Sequence, residues 1–127
     1  MAQQPAASTP PSSIPRRYLV TGALGCIGAW VSRVLADEGL NVLAYDRGDD
    51  DHRLRLTVPP ALRGRITRVF GDVTDQPLLE RTIAEHGIEA IIHMTALQVP
   101  HCRANPVLGA EVNVIGTLAV FEAAKAG

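Results

Sequence analysis

Three glycines at every third position of Thr21-Gly22-Ala23-Leu24-Gly25-Cys26-Ile27-Gly28 restrict this chain more than any other feature. Before them, Tyr18-Leu19-Val20 is a short apolar run, which reads as a buried strand meeting a tight turn. After them the period changes: Ile27, Trp30, Val31, Val34 and Leu35 fall on one stripe of an amphipathic helix. Gly39 is expected to end that helix as a C-terminal cap. Each glycine has a separate use. Gly22 permits the turn, Gly25 lets backbone approach a bound phosphate, and Gly28 lets the helix lie close to the sheet. The helix start then offers free N–H groups and a partial positive charge to an anion. A glycine triplet alone marks only a loop with several turns. With a strand before it, a helix after it and Asp46 about 20 residues beyond, it becomes a dinucleotide-binding pattern.

The remaining elements alternate in the same way. Asn41–Tyr45 reads as a second strand ending at Asp46, whose carboxylate is placed to accept hydrogen bonds from an adenosine ribose. A polar stretch, Arg47–Arg55, leads through Pro59-Pro60 to a third strand near Arg65–Phe70. Thr74 or Asp75 caps a second helix, with Pro77 in its first turn and Gly87 past its end. Ala90–Met94 is a fourth strand, and Asn105-Pro106 opens a long helix reaching Lys125. Strands separated by helices of this length pair in parallel through right-handed crossovers. The fold class is therefore α/β, a Rossmann-type doubly wound parallel sheet of order 3-2-1-4, truncated after the fourth strand and its helix. A ligand crevice is expected at the carboxyl ends of strands one and four.

Composition narrows the function classes. A net charge of −1 with 46% hydrophobic residues fits a globular domain and gives no basic excess for nucleic acid. Residues 1–15 are rich in Pro, Ala, Ser and Gln without periodicity and read as a disordered leader, leaving 16–127 as the folded domain. Arg16-Arg17 before an apolar run superficially suggests a twin-arginine export signal, but Arg33 and Asp37 interrupt it. No run is expected to span a bilayer. Cys26 and Cys102 are too few for a disulfide framework or a four-ligand zinc site and read as reduced thiols, so the expected compartment is the cytoplasm. His101-Cys102 lies in an expected loop, where two possible ligands do not make a metal site.

The glycine spacing, preceded by Thr21, resembles that of the extended short-chain dehydrogenases/reductases, in their NAD-dependent epimerase/dehydratase branch. Gly71-Asp72-Val73-Thr74-Asp75 is similar to the family's segment beside the adenine ring. Ile91-Ile92-His93-Met94-Thr95-Ala96 is similar to its strand end that passes the cofactor, and Glu111–Thr117 to its x-x-N-x-x-G-T helix motif. The resemblance covers residues 17–127 and implies NAD as cofactor. Contacts are expected from Gly22, Gly25, Cys26, Ile27 and Gly28, from Asp46 and Arg47, from Asp72 and Val73, and from Thr95 and Ala96. Arg47, with Arg53 and Arg55 nearby, keeps NADP open as the alternative. Asp72 also reads as an ordinary turn residue, and Thr95, where the family usually has alanine, either bonds the cofactor or crowds it.

Asn113 is conspicuous by periodicity alone. At about 100° per residue it lies about 200° from Glu111, on the apolar face opposite the solvent side of Glu111, Glu122 and Lys125. A buried amide needs partners, so a structural tie between this helix and strand four is expected. The resemblance adds a supporting part in a proton relay. His93 reads as a structural core histidine, satisfied by backbone groups.

The resemblance also implies a catalytic Tyr-x-x-x-Lys, which does not occur here. The tyrosines are Tyr18 and Tyr45, both on strands, and Lys125 is the sole lysine. The sequence is therefore expected to supply the cofactor-binding portion of an epimerase, dehydratase or reductase, with a small-molecule substrate taken up only together with a further half. A non-catalytic dinucleotide-binding or sensing module is the alternative. With strand four at an edge, self-association through that edge is expected.

Overall fold

The computed structural model describes residues 15–127. Apart from Pro15, the leader expected over residues 1–15 lies outside the described residues. β1 (Arg17–Thr21), β2 (Asn41–Asp46), β3 (Ile66–Phe70) and β4 (Ala90–His93) form one parallel sheet. Its order is β3-β2-β1-β4, as the alternation predicts. The register pairs Val20 with Ala44 on one side and with Ile92 on the other.

Alternate residues of the central strands feed two separate cores, which is why those strands are apolar throughout. Leu19, Leu43 and Tyr45 face α3 (Gln76–His86) and the long C-terminal helix through Leu79, Ile83, Val112, Val120 and Ala123. Val20, Val42 and Ala44 face α1 (Cys26–Asp37) and α2 (His52–Thr57) through Ala29 and Leu54. Each fully buried Leu or Val stabilises by about 1.5–3 kcal/mol relative to an exposed one.

The helix ends follow the local chemistry. Asp75 caps α3, its carboxylate accepting from the Leu78 N–H at 3.1 Å, and Gly87 closes it in the left-handed region at φ 59°. Gly39 follows α1 at φ 79°, donating its N–H to the Ala36 carbonyl.

Four expectations about the elements need correction. The α1 stripe is turned away from the core: Ile27, Trp30 and Val34 are exposed, while Gly28, Ala29, Ser32 and Ala36 are buried. Val31 and Leu35 keep partial cover. The cause is the close seat of α1 at its start, where a Cβ on Gly28 would run into the Gly22 carbonyl oxygen. Only small side chains fit there.

Second, the stretch read as polar holds a short helix, α2, and a 3₁₀ turn at Pro60–Arg65. Third, the expected loop around His101-Cys102 is α4 (Val99–Ala104), with Pro100 in its first turn. Fourth, the long helix is α5 (Pro106–Ala110) and α6 (Gly116–Ala126) joined by a π turn at Glu111–Ile115.

As one helix, Pro106–Ala126 has 21 residues and a mean hydropathy of 1.5, so by length and composition it could cross a bilayer, contrary to expectation. Here it packs on the sheet and on α3 through Val112, Ala119, Val120 and Ala123. Glu111, Glu122 and Lys125 are exposed, as the periodicity requires.

Candidate functional site

At the carboxyl ends of β1 and β4 the crossovers run to opposite faces of the sheet, opening a cleft of about 640 Å³. All eleven residues named from the sequence as cofactor contacts border it. Gly22, Gly25, Cys26, Ile27 and Gly28 form one wall, and Asp46 and Arg47 stand at one end beside Asp72 and Val73. Thr95 and Ala96 lie across from the glycine turn.

The glycine turn is tight. Gly22 adopts φ 65°, and a Cβ there would lie 2.9 Å from the Thr95 backbone nitrogen. Gly25 differs: its φ is −73°, and a Cβ would meet only the Gly22 oxygen, at 3.2 Å. Gly25 is the N-cap of α1 and brings no side chain to it, so the orphan N–H groups of the first turn are left to the cleft.

Asp46 is held by backbone on both carboxylate oxygens. One accepts from Leu24 N–H at 3.0 Å and the other from Gly48 N–H at 2.8 Å. These bonds fix its direction and leave lone pairs for a further donor. Asp72 has the turn role that was its ordinary reading: Oδ1 accepts from the Thr74 N–H at 3.0 Å and hydroxyl at 2.8 Å. Its Oδ2 lies 3.9 Å from Arg47 Nη1, an exposed pair. Tyr45 donates to the Asp72 carbonyl at 2.9 Å. Burial, with the carboxylates of Asp75 and Asp72, pushes this phenol up to about 12, so it stays a neutral donor.

On the opposite wall, Asn113 is tied to backbone as expected, though to the strip after β4 rather than to the strand. Its Oδ1 accepts from Leu97 N–H at 2.7 Å and its Nδ2 donates to the Leu97 carbonyl at 3.0 Å. Asn113 sits inside the π turn, beneath the cleft and not in its lining. His93 is satisfied not by backbone groups, as expected, but by two side-chain hydroxyls, Thr21 and Thr117, which the sheet edge brings to its two ring nitrogens, and burial lowers its pKa.

Leu97, Gln98, His101, Asn105 and Leu108 also line this wall, a role the sequence alone does not give them. Pro100 after an extended Gln98 is a helix-start signal that could have found α4. Among the described residues, no cluster of three or more His, Cys, Asp or Glu side chains forms a metal site.

The parallel order, the uncapped glycine turn and the acid at the end of β2 define a Rossmann-type dinucleotide fold. Residues 18–127 match the NAD dependent epimerase/dehydratase family, and the chain belongs to that family. It is 35% identical over 109 residues to a UDP-glucose 4-epimerase of Rhizobium leguminosarum bv. trifolii, covering 85% of this chain and 31% of that protein. A UDP-glucose 4-epimerase of Klebsiella pneumoniae is 32% identical over 112 residues, covering 87% of this chain and 81% of that sequence.

Among solved structures, a Stenotrophomonas maltophila UDP-glucose-4-epimerase with bound NAD and formylated UDP-arabinopyranose superposes with a TM-score of 0.77. Its identity is 25%, over 87% of this chain and 34% of that one. The Thermus thermophilus UDP-glucose 4-epimerase complex with NAD gives 0.71 at 31% identity, over 86% of this chain and 33% of that one. The chain thus spans about a third of the length of most of these relatives.

Proposed function

We propose that the cleft binds NAD as the cofactor-holding part of a nucleotide-sugar epimerase, dehydratase or reductase. The observation that carries this is the start of α1, which lacks any side-chain cap and opens between the braced carboxylate of Asp46 and the Thr95 backbone. In this reading the N–H groups from Cys26 to Gly28 hold the pyrophosphate. Asp46 takes the ribose hydroxyls of the adenosine, and Asp72, with Val73, borders the adenine. Thr95 and Ala96 flank the nicotinamide half. NAD would supply a hydride acceptor for a substrate carbinol carbon, and the UDP-glucose 4-epimerases solved with bound NAD support the choice of cofactor. Asn113, through its grip on Leu97, is a positioning residue for that wall.

NAD is favoured over NADP because the fixed Asp46 carboxylate repels a 2′-phosphate. Arg47 would serve NADP, but it is exposed and its nearest carboxylate is Asp72. Calorimetric titration with both cofactors tests this. NAD should bind more tightly, Asp46→Ala should lose NAD affinity, and Asp46→Asn should narrow the preference. Tighter NADP binding, or unchanged affinity in Asp46→Ala, would contradict the reading.

A non-catalytic dinucleotide-binding module is the second reading, and one observation favours it for this chain taken alone. The neutral Tyr45 is committed to the Asp72 carbonyl, and Lys125 pairs with Glu122 at 3.1 Å. A groove beside the β4 edge, lined by Ile91, Val120 and Phe121, also supports self-association of the isolated chain. Size-exclusion chromatography with light scattering should give a mass above one chain, and a monodisperse monomer would exclude it.

A further inference from the structure

Outside the cleft, a hydrogen-bond chain runs from the end of β1 across the sheet edge to the long helix, and the order of its protons can be worked out. The Thr21 hydroxyl oxygen accepts from Met94 N–H at 3.0 Å, a donor it shares with the Thr21 carbonyl at 3.2 Å, and from Thr95 N–H at 3.2 Å. Both of its lone pairs are then engaged, so its own proton is directed at His93 Nδ1, 2.7 Å away. That nitrogen is therefore bare and the ring proton sits on Nε2, which donates to the Thr117 hydroxyl at 3.1 Å. The Thr117 hydroxyl donates to the backbone carbonyl of Asn113 at 2.8 Å. Asn113 in turn grips Leu97 by its N–H and its carbonyl. The strip Met94–Leu97 is thus held at one end by Thr21 and at the other by Asn113, and His93 joins the two holders.

We propose that His93, neutral and protonated on Nε2, is a positioning residue that sets the Met94–Leu97 wall of the cleft and thereby its affinity for the cofactor. The proposal rests on the dinucleotide reading above. It adds a residue that does not border the cleft and that would act through two hydroxyls.

Protonation should undo the arrangement. A proton on Nδ1 would point at an oxygen already accepting two N–H groups, so the link to Thr21 would be lost. Among the described residues, the ring's hydrogen-bond partners are hydroxyls and none is a carboxylate that would stabilise an imidazolium. From β1 the ring meets Thr21, with Arg17 at the strand's other end. From α6 it meets Thr117, while Glu122 and Lys125 are exposed and pair with each other. In the adjoining groove Glu89 lies at the far end of β4, where it accepts from Arg16 N–H. His101 borders the cleft, on α4. Burial alone lowers His93 below its ordinary 6.5. The folded value therefore lies below the unfolded one. The contribution of the neutral ring is complete above the ordinary value and is lost as pH falls from there through the folded value.

The test is calorimetric NAD titration of the full chain from about pH 8 to about pH 5, with the histidine ring nitrogens followed by ¹⁵N NMR. NAD affinity should fall about tenfold across that range in the wild type, and His93→Phe should show a similar loss already at the alkaline end without further acid-side weakening. His93→Asn, whose side-chain oxygen can take the Thr21 proton, should recover most of the affinity. His86→Gln, in the last turn of α3 and away from the cleft, should keep the wild-type profile. Should His93→Phe not fold, Thr117→Val removes the acceptor of the Nε2 proton together with the hydroxyl's own bond to the Asn113 carbonyl, leaves the ring in place, and should weaken NAD about threefold.

Wild-type affinity in His93→Phe or Thr117→Val, or a ring protonated on Nδ1, would overturn the proposal. Failure of the wild type to bind NAD at any pH would instead sink the dinucleotide reading, and with it the link to affinity, while the NMR tautomer would still decide the hydrogen-bond chain.

Discussion

α1 and α3 both begin at the carboxyl edge of the same parallel sheet, and they begin differently. α3 is closed by its own sequence: Asp75 accepts from the Leu78 N–H, and Pro77 stands in the first turn, where no donor is needed. α1 begins at Gly25, with no side-chain cap and no acidic residue in its first turn. Capping by Asp, Ser or Thr typically stabilises a helix by about 1 kcal/mol, and α1 forgoes it. Its orphan donors open onto the cleft beside Asp46 and Thr95. An uncapped helix start is informative when its neighbours are arranged around the same space. α2 and α4 also lack side-chain caps, but each is only six residues long.

The comparison can be broken at the α1 side most drastically. In Gly28→Val the new Cβ would be driven into the Gly22 carbonyl oxygen and would lie 2.8 Å from the Ala23 Cα, both backbone groups that cannot swing away. Overpacking of this kind should cost about 3 kcal/mol and displace α1 from the sheet, lowering the thermal midpoint and removing NAD binding together. A wild-type melting curve would mean that α1 does not lie this close.

The α3 side should respond weakly and in stability alone. Asp75→Ala should cost about 1 kcal/mol, read as a fall in melting temperature of about 4 °C, with NAD affinity unchanged. A loss of NAD affinity there would show that the two helix starts are coupled and that the contrast drawn here is too sharp.

Much of this contrast was legible in the residues, because it depends on neighbours in the chain. The glycine turn, the Asp75 cap, the Gly87 terminus and the strand order all follow from local chemistry and the alternation of periods. The departures depend on distance in space. Ile27, Trp30 and Val34 form a genuine apolar stripe, yet the tight seat of α1 leaves room only for Gly28, Ala29, Ser32 and Ala36. The π turn around Asn113 has no local signature. It appears where one side chain grips the backbone of a strip 16 residues away. His93 was read as a satisfied core histidine, but its partners are hydroxyls from β1 and α6, and only the assembled sheet edge brings them together.

The most direct test of the central claim, that the open start of α1 holds the pyrophosphate of NAD, is Gly25→Val. The position has an ordinary backbone conformation, and its new Cβ would press only on the Gly22 oxygen, at 3.2 Å, so the fold should tolerate the change. The side chain would stand where the phosphates approach the backbone. Calorimetry on this variant should show no NAD binding, while its circular dichroism stays close to that of the wild type. NAD binding with wild-type affinity would contradict the account and move the phosphates elsewhere.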